Sequence, residues 1–216
     1  MRELADGVMQ LAGKPANSIN AYLVGDVLID SGAPWTGKSV VKQLKGVELN
    51  AHAITHAHFD HYGGSRAVCD AYDVPFWVGE IDAPATERGK QVFRVPGLGP
   101  KLVPAARAKK ADRLLKEGDE VAGFKVLLTP GHSPGHLSFW RESDRVLLCG
   151  DVMWGMDPFT MRKAITDPYA ALSPDPKLNR ESAKRLADLR PELVCFGHGP
   201  PLRDPDKFAA AVAKSI

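Results

Sequence analysis

Cysteine is scarce in this chain. Its 216 residues hold three, Cys69, Cys149 and Cys195, far apart and without a CxxC pair. That excludes a disulfide ladder and reads each thiol as a small buried apolar group in a reducing, cytoplasmic setting. Long apolar runs are lacking too. None approaches the roughly 18 to 20 residues that a membrane span requires, and the opening MRELADGVMQLAG has early acidic residues where a secretory signal would be basic and then apolar. Charge of either sign is not in excess: the net value is +2. That is too little to argue for nucleic acid or a membrane surface as partner. Gly-x-Ser-x-Gly is absent, so a serine-hydrolase reading has no support.

What is present suits one layered domain over residues 1–216, with 44% apolar and 25% charged residues. Two short β runs, 20–24 and 27–30, flank Gly25-Asp26, a hairpin signal. Residues 36–45 place Val40, Val41 and Leu44 at near-helical spacing. Further strands are expected over 51–55, 75–78, 124–129, 137–140, 145–148 and 193–196. Helices are expected over 64–72, 179–189 and 205–214, with an irregular stretch after the strand at 75–78. Strands then helix, twice over, suggest two sheets packed face to face with helices outside, an α/β arrangement.

The strongest local signal is Thr55-His56-Ala57-His58-Phe59-Asp60-His61-Tyr62-Gly63-Gly64, directly after an apolar strand. Residues two apart in extended chain point the same way, so His56 and His58 can hold one metal between them. Asp60 and His61 follow once the chain turns and can face a second position. Imidazole and carboxylate suit zinc, iron or manganese. A solvated His-rich loop is the bland alternative, but three more strands end in the same residue types. His132 sits in the Pro-Gly turn of LLTPGH, Asp151 ends LLCGD, and His198 lies between glycines in VCFGHGP.

HxHxDH followed by TPGH, GD and GHG resembles the metallo-β-lactamase superfamily, together with AYLVGDVLIDSG near the start. The resemblance implies a four-layer αββα sandwich of two mixed β-sheets flanked by helices, with metals at one edge. It assigns His56, His58 and His132 to a first ion and Asp60, His61 and His198 to a second. Asp151 would bridge them, as in glyoxalase II-like hydrolases; Asp at this position, where lactamases tend to have Cys, leans away from true β-lactamases. The implied activity is that of a dinuclear zinc hydrolase, in which a metal-bridging hydroxide attacks an ester, thioester or lactone of a small molecule and Asp60 takes part in the chemistry. Iron and manganese are the other ions to consider. The competing readings are a mononuclear iron oxygenase resembling persulfide dioxygenases and a nuclease of the same fold. The latter would need a phosphate-binding exosite that the sequence does not display.

Residues outside that set are less telling. His52 lies four before His56, roughly 13 Å away in extended chain, too far to ligate and expected to be structural and partly exposed. His136 is expected to support the site through hydrogen bonds. Asp30 is either a partner to a ligand or a turn cap. Residues 89–110 carry six Lys or Arg and no acid. They are either a flap that draws in an anionic substrate or a solvated basic loop. Trp35, Tyr62 and Trp154 are candidate substrate contacts. With Met156, Phe159, Met161 and Tyr169, Trp154 either lines an apolar pocket beside Asp151 or packs over the domain. Oligomeric state is not legible in the sequence.

Overall fold

The computed structural model describes residues 1–91 and 106–214. Strands β1 (Arg2–Ala5), β2 (Val8–Gln10), β3 (Tyr22–Val24), β4 (Val27–Ile29), β5 (Ala51–Ala53), β6 (Phe76–Gly79) and β7 (Arg113–Leu115) form one sheet in that order. Its first four strands are antiparallel and its last three pairings parallel. The second sheet runs β12 (Leu193–Phe196), β11 (Val146–Gly150), β10 (Leu137–Arg141), β9 (Phe124–Leu128), β8 (Glu120–Val121), antiparallel except for β11 with β12. Both sheets are therefore mixed.

Alternation along the strands explains the layers. In β3, Tyr22 and Val24 face the other sheet and Leu23 faces away; in β9, Phe124 and Val126 face in and Leu127 out. The inward residues of both sheets make a central core. The outward residues need cover, and amphipathic helices supply it. Helices α1 (Gly37–Gln43), α3 (Ser65–Tyr72) and α4 (Ala83–Glu87) pack on the first sheet through Val40, Val68, Cys69 and Ala83. Helices α5 (Pro176–Asp188) and α6 (Pro205–Lys214) pack on the second through Ala183, Leu186, Phe208 and Val212. Three apolar interfaces separate four layers, which is the αββα sandwich expected.

The sheets are stitched together at one edge. Leu137 N–H donates to Thr55 O at 2.8 Å, joining the end of β5 to the start of β10. Asn20 N–H reaches Gly197 O at 2.8 Å, and its side-chain amide donates to Phe196 O at 2.9 Å and Gly199 O at 2.8 Å. Strands β4, β5, β9, β11 and β12 all end at this edge, and carboxyl ends of strands are where layered α/β folds place ligands. No helix among the described residues is long and apolar enough to cross a membrane.

Candidate metal centre

The segment after β5 supplies four of the expected ligands. It stays extended through His58, then turns into the single-turn helix α2 (Phe59–Tyr62), where both His61 and Tyr62 donate their N–H to His58 O at 3.0 Å. The turn separates Asp60 and His61 from His56 and His58. His132 follows β9, Asp151 follows β11 and His198 follows β12. The structure brings all seven side chains together. Ligand atoms of His56, His58 and His132 lie within 4.8 Å of one another, as do those of Asp60, His61 and His198, and those of His56, His61 and Asp151.

Asp151 stands between the groups. Its Oδ1 is 3.5 Å from His61 Nε2, and its Oδ2 is 3.1 Å from His198 Nε2 and 3.5 Å from His132 Nε2. Asp60 Oδ2 is 3.3 Å from His198 Nε2 and 4.0 Å from His61 Nε2. His56 Nε2 and His58 Nδ1 face each other at 2.9 Å.

Four imidazoles have their Nδ1 occupied, which fixes the ring and leaves Nε2 pointing inward. His61 Nδ1 is 2.8 Å from Asp30 Oδ2, and His56 Nδ1 is 3.0 Å from Thr55 Oγ1, which itself donates to Asp30 Oδ2 at 2.9 Å. His132 Nδ1 meets Ser173 Oγ at 3.1 Å, and His198 Nδ1 meets the carbonyl of Ser18. Asp30 therefore holds the His61 ring directly and the His56 ring through Thr55, which agrees with the reading of it as a partner to an expected ligand. It does so with φ of +59°, a left-handed conformation that Asp tolerates better than most residues at a cost of order 1 kcal/mol.

The donor set fits cations. His61 Nε2, His132 Nε2 and Asp151 Oδ1 are buried without a hydrogen-bond partner among the described residues. Such orphaned groups are costly unless something satisfies them. Against the cost of burial, His61 and His198 hold the Asp60 carboxyl down at about 2, and His198 and His61 hold Asp151 well below the usual range. Burial opposes charge on the histidines as well, yet Asp151 with Asp60 raises His198 to about 10, and Asp151 with Asp30 raises His61. His56 and His132 go the other way, pushed well down by burial and by neighbouring imidazoles. Two ionised carboxylates thus gather positive charge, with neutral imidazole lone pairs beside them. The Asp60 side chain is 18% exposed and that of Asp151 3%, so water reaches the cluster past Asp60.

His136 is not a ligand: its Nε2 accepts from Asp151 N–H at 3.0 Å and its Nδ1 pairs with Thr129 Oγ1 at 2.9 Å. His52 is also no ligand, but its expected partial exposure is corrected. It is 0% exposed, with Nδ1 3.0 Å from Leu28 O and Nε2 2.7 Å from Ser65 Oγ, because the β5 register buries its side chain under α3. Trp35 is exposed and its ring lies 6.1 Å from that of Phe59. Tyr62 is buried in the core with its hydroxyl on Lys90 O. Trp154 and Met156 are buried, whereas Phe159, Met161 and Tyr169 are exposed. Most of the expected basic flap, including Arg94 and Lys101, lies outside the described residues. Cys69, Cys149 and Cys195 are free and buried, as read from the sequence.

Sequence reasoning missed Asp82. It is 1% exposed and accepts from Ala57 N–H at 3.0 Å, Ser133 Oγ–H at 2.6 Å and Gly135 N–H at 2.7 Å. It clamps the turn that carries His56 and His58 to the turn that carries His132. Its sequence signal is that of a helix N-cap ahead of Pro84, yet its side chain makes no cap bond to α4.

Comparison with known proteins agrees with this arrangement. Residues 15–198 match the family model of the metallo-beta-lactamase superfamily. The probable metallo-hydrolase YflN of Bacillus subtilis is 31% identical over 229 residues, 93% of this chain and 86% of that protein. Among solved structures, TTHA1623 in a di-iron-bound form is 32% identical with a TM-score of 0.70, covering 94% of this chain and 97% of its own. BLEG-1, a B3 metallo-beta-lactamase, is 29% identical with a TM-score of 0.70, covering 93% and 95%.

Proposed function

The chain belongs to the metallo-β-lactamase superfamily and is a metal-dependent hydrolase, and from that premise we propose that it holds two divalent ions, with zinc the expected metal, and hydrolyses an ester, thioester or lactone of a small molecule. One observation carries the two-ion reading: Asp151 presents one oxygen to His61 and the other to His132 and His198, and so spans both ligand groups. His56, His58 and His132 would hold one ion, and Asp60, His61 and His198 the other. The di-iron form of TTHA1623 supports a pair of ions and makes iron the alternative to zinc.

A bound pair supplies Lewis acidity toward a carbonyl and acidifies water near neutral pH. The chain's own groups do the rest. Asp60, ionised and the ligand side chain open to solvent, accepts a hydrogen bond from entering water. Asp30 and Thr55 hold the His61 and His56 rings so that their lone pairs stay turned inward. A covalent route through cysteine has no support, because burial pushes the thiols of Cys69 and Cys195 up to about 12.

The test is metal analysis of protein purified without added metal, paired with thioester, lactone, β-lactam and phosphodiester substrates. Two equivalents of metal, cleavage of a carbonyl substrate and its loss in Asp60→Ala are expected. A single iron per chain with oxygen uptake on a persulfide would overturn the hydrolytic reading. Two bound ions with hydrolysis intact in Asp60→Ala would overturn the role given to that residue.

A further inference from the structure

Asp151 has a neighbour that the metal-ligand set does not include. The Trp154 indole N–H donates to Asp151 Oδ2 at 2.8 Å. The indole is 2% exposed, and its ring stands nearly edge-on to His198 at 5.5 Å and to His132 at 6.4 Å. An indole N–H can only donate, so Trp154 is no ligand. Its bond to an ionised carboxylate is of the stronger, charge-assisted kind.

A carboxylate turns easily about its last torsion, which has a broad and roughly two-fold profile. Here the two oxygens are not equivalent. Oδ2 takes the indole and lies between His198 and His132, while Oδ1 is turned to His61 and has no hydrogen-bond partner among the described residues. The indole is itself held firmly. The Trp154 backbone N–H donates to Thr166 O at 2.9 Å and the Thr166 backbone N–H returns a bond to Trp154 O at 3.0 Å. Tyr169 packs edge-on against the ring at 5.6 Å. The same segment sends Ser173 Oγ to His132 Nδ1 at 3.1 Å, so residues 154–173 support two of the seven ligands.

We propose that Trp154 is a positioning residue: its indole N–H locks the Asp151 carboxylate across the two ligand groups, so that without it one of the two ions is held more weakly. This rests on the two-ion reading above. Partners that orient a ligand typically account for 10- to 100-fold in metal affinity, so an effect of about that size is expected.

Trp154→Phe keeps the ring and removes only the donor. Apoprotein of the wild type and the variant would be titrated with zinc by calorimetry. The wild type should take two equivalents. The variant should take the first with similar affinity and the second about 10- to 100-fold more weakly, with its melting transition still cooperative. Equal affinity for both equivalents in the two proteins would overturn the inference and leave the two-ion reading standing. Fewer than two equivalents in the wild type would overturn both. The chain has four tryptophans, so the wild type offers a second measurement should the variant fail to fold. In a nitrogen–proton correlation spectrum, the Trp154 indole resonance, assigned by selective labelling, should shift on zinc addition. An unmoved signal with two ions bound would sink the proposal.

Discussion

Single atoms decide the centre, and Gly197 shows it best. A Cβ there would lie 1.9 Å from Asp151 Oδ1 and 2.7 Å from His61 Cε1. Neither side chain can retreat, since Trp154 holds one and Asp30 the other. Gly197→Ala should therefore displace ligands while touching little else. Misplacement by about 1 Å costs on the order of 10²-fold in turnover. Hydrolysis assays and metal content would check this; a full metal complement at wild-type rate would show that the site accommodates the methyl. His52 makes a different prediction. Burial lowers it from 6.5 to about 4, outweighing its bond to Leu28 O. Between those values the unfolded chain binds a proton that the folded chain does not. The contribution is thus complete above pH 6.5 and lost as pH falls through 4, about 3 kcal/mol in all. His52→Gln, which keeps a donor and an acceptor without a titrating ring, should flatten the acid side of a stability profile measured by denaturant melts. An unchanged profile would refute this. The spacing to His56 set His52 aside as a ligand. Spacing could not show that β5 pairs on both sides and buries the ring, because register is a tertiary property.

At the scale of elements, the legible parts were those whose local chemistry agrees with their packing. The hairpin at Gly25-Asp26 forms with Gly25 at φ +54°. Helices α1, α3, α5 and α6 form within three residues of where their periodicity places them. Elements that lack such a pattern were not legible. Strands β1 and β2 are four and three residues long and include Arg2, Glu3 and Gln10, and β8 has two residues. These depend on neighbours in the sheet. Helices α2 and α4 are single turns of four and five residues, too short to show a period. Between β6 and α4 lies Asp82, whose three bonds reach two other turns and are invisible to any local window. Asp82→Asn replaces an acceptor by an amide N–H facing a donor, leaving buried groups unmatched at a cost of about 1–3 kcal/mol. The variant should melt lower and bind its first metal equivalent more weakly. Unaltered metal affinity in a destabilised protein would mean that Asp82 only staples the fold.

Across the whole molecule, the proposed ions would act as cross-braces. His56, His58, Asp60 and His61 follow a strand of the seven-stranded sheet, whereas His132, Asp151 and His198 follow strands of the five-stranded one. The motif residues were readable one by one, but that they join two sheets is a property of the sandwich alone. Metal binding should then stabilise the packing of sheet on sheet, beyond satisfying the orphaned atoms. For free metal at about 1,000 times its dissociation constant the gain is roughly 4 kcal/mol for each ion, or about 8–16 °C in Tm per ion for a chain of this size. Removing metal by chelation and dialysis should lower Tm by that order, and adding it back should restore it. Hydrogen exchange should locate the effect. In the metal-free protein, protection should fall first at the edge where the sheets meet, at the amides of Ser31, His61 and Leu137, which donate to His61 O, His58 O and Thr55 O. It should persist at the far end of β9 and β10. A uniform loss of protection over both sheets would mean that the ions stabilise the molecule without bracing that edge. An unchanged Tm in protein shown to be metal-free would mean that the central core and the hydrogen bonds from Leu137 and Asn20 hold the sheets together without the ions.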